Sequence, residues 1–76
     1  MKLSEVSPGM KVKIIRLGQG FPALRKRLLD MGVLSGEPIT VERVAPLGDP
    51  LEVKIKGYRL SLRKEEADEI LVEVVS

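Results

Sequence analysis

The chain has 76 residues, with 13 Lys and Arg against 11 Asp and Glu, a formal charge of +2. At that length it makes one domain, near the lower limit for a chain that must bury its own core. It contains no cysteine and no histidine, which excludes disulfides, thiolate or imidazole metal sites and the commonest general base.

Leu3 and Val6 are expected to tuck the start of the chain against the body, ahead of the turn Ser7-Pro8-Gly9. Residues 11–17 then alternate, with Val12 and Ile14 facing one way and Lys11 and Lys13 the other. Ile15 and Leu17 break this count, so the strand either bends or is covered on both faces. Gly18-Gln19-Gly20 reads as a flexible break.

From Phe21 the period changes. Phe21, Leu24, Leu28 and Met31 follow i, i+3, i+7, i+10 and make the apolar stripe of a short helix. Pro22 suits its first turn and Gly32 its end. At about 100° per residue, Leu29 lies roughly 80–120° off most of that stripe, on the flank shared with Arg25. It either packs under the adjoining loop or stands as an exposed apolar contact framed by Arg25 and Lys26.

Ser35-Gly36 turns into residues 39–44, a strand with Ile39 and Val41 inward and Thr40 and Glu42 outward. Residues 45–50, with prolines around Gly48-Asp49, belong in a hairpin connection. Leu51, Val53 and Ile55 alternate with Glu52, Lys54 and Lys56. Lys56-Gly57 turns the chain into residues 58–62, with Leu60 and Leu62 inward. Residues 64–69 suit a single helical turn, and 70–75 close the set with Ile70, Val72 and Val74 on one face. Five short strands and one short helix predict an all-β fold, a small antiparallel barrel spanning residues 1–76 as a single domain. Closure would also remove exposed sheet edges.

No residue is assigned a catalytic role, because the serines have no histidine to activate them and no nucleophile elbow exists. Only carboxylates and backbone oxygens are left as metal ligands, and these suit hard cations and hold ferrous iron weakly. The cluster Glu65, Glu66, Asp68, Glu69 matches no metal spacing and reads as a solvated helical turn, so no metal or cofactor site is assigned. Two basic clusters, Arg25-Lys26-Arg27 and Arg63-Lys64, place consecutive side chains in different directions on a helix. They read as solvent-exposed charge first, then as contacts for an acidic protein surface, and last as a surface for nucleic acid or lipid. Phe21 and Tyr58 are the only aromatic residues, too few for the stacking platforms of single-strand binders, so nucleic acid is not an expected partner. No apolar run approaches the roughly 18 residues needed to cross a bilayer, and no secretory signal opens the chain. A cytoplasmic protein without membrane insertion is expected.

Several ordered landmarks run through almost the whole chain. They are Leu3 with Pro8-Gly9, then Arg27-Leu28-Leu29-Asp30-Met31-Gly32 with Ser35-Gly36, then Ala45-Pro46-Leu47-Gly48-Asp49-Pro50-Leu51. Tyr58-Arg59-Leu60-Ser61-Leu62-Arg63 followed by Glu65-Glu66-Ala67 completes the set. In this order the chain resembles the FeoA family, small accessory proteins of bacterial ferrous iron transport. Ser35 departs from the family's frequent proline before the glycine, which touches only local turn stiffness. The resemblance implies an SH3-like barrel and a non-catalytic role beside FeoB, the membrane permease with a cytoplasmic GTPase domain. On that reading Leu29 is expected as apolar anchor, Arg25 and Lys26 as steering charges, and Leu47 and Asp49 as a second contact. Weak self-association through strand edges stays open. The alternative is a detached C-terminal SH3-like module of a DtxR-type metal-dependent repressor. That reading needs a helix-turn-helix domain and a metal-binding dimerisation domain upstream, and these 76 residues hold neither.

Overall fold

Alternation along the strands, broken once in the first and once in the second, produces a curved sheet with one buried face. The computed structural model describes residues 1–75. A 3-10 turn (Leu3–Glu5) precedes β1 (Val12–Leu17), α1 (Pro22–Asp30), β2 (Pro38–Val44), β3 (Leu51–Ile55), β4 (Tyr58–Leu62), α2 (Lys64–Ala67) and β5 (Ile70–Val74). The strands form one antiparallel sheet in the order β4-β3-β2-β1-β5. Ile39 and Val41, Leu51, Val53 and Ile55, Leu60 and Leu62, and Ile70 and Val72 are all buried on its inner face, as their period of two requires. Leu3 and Val6 close the core from the N-terminal side. Val74 is the exception: it pairs with Val12 but is left 56% exposed at the rim of the sheet, not inward as expected.

Two irregularities shape this sheet. In β1, Ile14 pairs with Val72 and Arg16 with Leu71, so Ile15 is an extra residue in a β-bulge. In β2, Val41 pairs with Val53 and Arg43 with Glu52, which makes Glu42 the extra residue of a second bulge. Each bulge turns two consecutive side chains outward and restores the inward direction one residue late, at Leu17 and Val44. That resolves the broken count around Ile15.

The sheet curls without closing, since no ladder joins β4 to β5 among the described residues. The chain passes between these edge strands through α2, whose Ala67 is fully buried, so packing stands where a further ladder was expected. The outer edge of β5 is covered differently. Met1 donates its ammonium to the Val72 carbonyl and accepts from the Val72 N–H, both at 2.8 Å, and Lys2 bridges Leu71. The Ser4 hydroxyl then donates to the Asp68 carboxylate, fixing the 3-10 turn to the end of α2. No helix among the described residues is long and apolar enough to cross a membrane.

Candidate docking surface

The site begins with the way α1 is started and stopped. Pro22 occupies the first helical position, where its missing N–H leaves nothing unpaired. At the other end Gly32 adopts φ +86°. Its N–H bonds the Leu29 carbonyl at 2.9 Å, and the Val33 N–H bonds the Leu28 carbonyl at 3.0 Å. This is the paired reverse hydrogen bonding of a Schellman cap, completed by burial of both Leu28 and Val33. Leu24 and Met31 pack partly against the core, and Leu28 is the fully buried member of the stripe. Phe21 stands just outside the helix as its N-cap, half-buried.

This anchoring fixes the opposite flank. Leu29 is 40% exposed, so it stands at the surface and is not packed under the adjoining loop. Arg25, Lys26 and Leu29 line one shallow depression together with Gln19, Pro22 and Asp30. Lys26 is occupied within the helix, its ammonium 2.7 Å from the Asp30 carboxylate. Such an exposed i, i+4 pair is worth about 0.3–0.5 kcal/mol, weak enough to be exchanged for an external partner. Arg25 makes no ion pair among the described residues.

Leu47 and Asp49 lie elsewhere, in the β2–β3 connection, and line neither depression that Leu29 lines. Leu47 is 95% exposed at its tip. Asp49 has a structural use: its Oδ1 accepts the Lys64 N–H at 3.1 Å, capping the start of α2 across 15 residues of sequence. Removing a capping carboxylate costs about 1 kcal/mol. Asp49→Ala is therefore expected to lower the thermal midpoint while Asp49→Asn retains it, a comparison that melting curves will decide.

The acidic run separates into individual roles. Glu66 accepts the Arg63 N–H at 2.8 Å, Asp68 accepts from Ser4, and Glu65 lies 3.9 Å from Arg63. Glu69 lies over Gly18 and Gly20. Among the described residues no three metal-ligating side chains converge.

Sequence reasoning passed over three residues of the surface. Ile15 and Leu34 are 43% and 69% exposed, and with Arg16 they line a second depression that adjoins the first through Arg25 and Leu29. The anomaly at Ile15 was a visible signal. Leu34 offered none, since its exposure follows from the cap that buries Val33.

The FeoA domain model matches residues 1–74. The chain belongs to the FeoA domain family. This is a family of ferrous iron transport, and a curated relative carries the FeoA domain joined to the transporter itself. That relative is the Fe(2+) transport protein A/Fe(2+) transporter FeoB fusion protein of Porphyromonas gingivalis, 45% identical over all 76 residues. The chain spans 9% of the fusion protein's length. Among solved structures, the FeoA protein of Chlorobium tepidum superposes with a TM-score of 0.88 at 41% identity, over 100% of this chain and 71% of that one. Stenotrophomonas maltophilia FeoA, described as an SH3 domain protein and solved with zinc, gives 0.81 at 28% identity, covering 96% and 89%. The FeoA fold seen here is thus SH3-like. A manganese-dependent transcriptional repressor shares it at 17% identity and a TM-score of 0.81, a likeness of fold alone.

Proposed function

We propose that this chain is a non-catalytic accessory domain that binds the cytoplasmic region of a FeoB-type transporter and modulates ferrous iron uptake. The observation that carries this reading is the fusion relative, in which a domain 45% identical over the full 76 residues shares one polypeptide with the transporter. Covalent linkage of that kind holds two partners at high effective concentration. It is the expected arrangement when the separate chains associate to act. The α1 flank is a fitting candidate, with Leu29 as apolar anchor, Arg25 without an ion pair among the described residues and Lys26 paired with Asp30. Catalysis has no support, as no His or Cys is present and the serines have no activating partner.

Titration of the transporter's purified cytoplasmic region into this protein tests the reading. Wild type is expected to bind. Leu29→Ala is expected to cost about 2 kcal/mol of binding free energy, the order of a hot-spot truncation, and Arg25→Glu to weaken binding with an unchanged circular-dichroism spectrum. Absence of binding by the wild-type protein overturns the proposal.

A further inference from the structure

We propose that the depression between the β1 bulge, α1 and the loop at residues 33–35 seats an acidic segment of the transporter's cytoplasmic region bearing adjacent apolar side chains. The inference rests on the docking reading above and deepens it by assigning the face and the chemistry of what fills it.

The bulge is the first argument. Removing Ile15 from the chain would leave Ile14 opposite Val72, Arg16 opposite Leu71 and Leu17 opposite Ile70, a regular ladder with every core residue still inward. The β1–β5 register does not need the extra residue. Its effect is to set Ile15 and Arg16 side by side on the outer surface, and bulges commonly re-aim side chains in this way beside functional sites.

The apolar content is the second. Ile15, Leu29 and Leu34 come from three different elements and are all well exposed, yet they line the same concavity along with half-buried Leu17. Scattered exposed apolar residues need no explanation, whereas convergent ones mark interaction sites.

Charge selects the occupant. The charged side chains lining this depression are Arg16 and Arg25, with no carboxylate among its lining residues. Neither arginine has an ion-pair partner among the described residues, although six other cations do. An apolar floor rimmed by two unpaired guanidinium groups is complementary to apolar side chains flanked by Asp or Glu. A second copy seated across a two-fold axis would set this arginine-rimmed face against an identical one, which disfavours it. Two cations around a concave patch also fall short of the roughly four to eight clustered on anionic-lipid binders.

The experiment compares binding of the transporter's cytoplasmic region by wild type, Arg16→Glu, Leu34→Ser, a chain lacking Ile15, and Lys54→Glu. Lys54 is an exposed cation on β3 outside this face. The first three variants are expected to lose about tenfold or more in affinity, and Lys54→Glu to match wild type. Added salt is expected to weaken wild type more than an Arg16→Gln/Arg25→Gln double variant. Wild-type binding with all variants unchanged overturns this inference and leaves the docking reading standing. Equal losses in Arg16→Glu and Lys54→Glu reduce the effect to net charge and overturn it as well. So does a dimer in sedimentation that Leu34→Ser dissociates, or co-sedimentation with phosphatidylglycerol vesicles abolished by the same variant. Failure of wild type to bind removes both readings together.

Discussion

Leu28→Ala is expected to destabilise the domain by about 2–5 kcal/mol, the cost of a buried leucine truncated in a packed core. Leu28 is 2% exposed and is the fully buried residue of α1. Its neighbours along the stripe, Leu24 and Met31, are only partly covered, so little remains to hold the helix once the isobutyl group is gone. A domain of this size has about 5 kcal/mol or a little more to lose. The thermal midpoint is expected to fall on the order of 10–30 °C. The adjacent Leu29→Ala is the informative contrast. Leu29 is 40% exposed, and surface substitutions of this kind stay within about 0.5 kcal/mol. Chemical denaturation read beside binding should therefore separate two successive leucines, one serving stability and one serving docking. Equal stability losses would mean that Leu29 anchors the helix as firmly as Leu28 does.

Gly18→Ala is expected to be the second large effect, about 1–3 kcal/mol from overpacking. Gly18 donates its N–H to the Glu69 carbonyl at 2.6 Å. A methyl group at this position would stand 2.8 Å from that same carbonyl oxygen and against the Glu69 carboxylate as well. At Gly20 the three atoms nearest a methyl group all belong to the Glu69 side chain, the movable end of a flexible residue. Glu69→Ala is thus expected to restore Gly20→Ala nearly to the level of Glu69→Ala itself and to leave Gly18→Ala impaired. Coupling of this kind is measured by a double-mutant cycle in a denaturant melt. Rescue of both glycine variants, or of neither, would contradict the geometry.

Those glycines show where the sequence stops being readable. Gly18-Gln19-Gly20 looks like a flexible break, whereas the chain there is pressed against the start of β5. Nothing local to residues 18–20 announces Glu69. Asp49 is similar: its neighbours suggest an exposed turn, and the backbone N–H it caps belongs to Lys64. The strands were legible because a half-buried sheet imposes a period of two on Ile39 and Val41, on Leu51, Val53 and Ile55, and on Leu60 and Leu62. The helix boundaries were legible because Pro22 and Gly32 each satisfy a stereochemical demand of a helix end. The bulges lay between these cases. From Ile14 to Leu17 and from Val41 to Val44 the inward positions are three apart instead of two, the same signature twice. It becomes interpretable only when the partner strand shows which residue is unpaired. The proposed docking surface inherits that difficulty. Leu29 and Arg25 follow from helical geometry, while Ile15 and Leu34 owe their exposure to a bulge and a cap.

The position of β5 bears on how the domain is made. It lies between β1 and residues 1–2, so a strand late in this sequence completes contacts with a segment at its start. The β2–β3–β4 meander, whose pairings are all between consecutive strands, can assemble earlier during synthesis. Leu3, Val12 and Ile14 must wait for Ile70 and Val72 before their surface is covered, and long-range pairing of this kind is the slow part of folding. A nascent chain arrested before residue 70 should therefore present an unfinished, chaperone-accessible apolar edge, and extension through residues 70–74 should protect it.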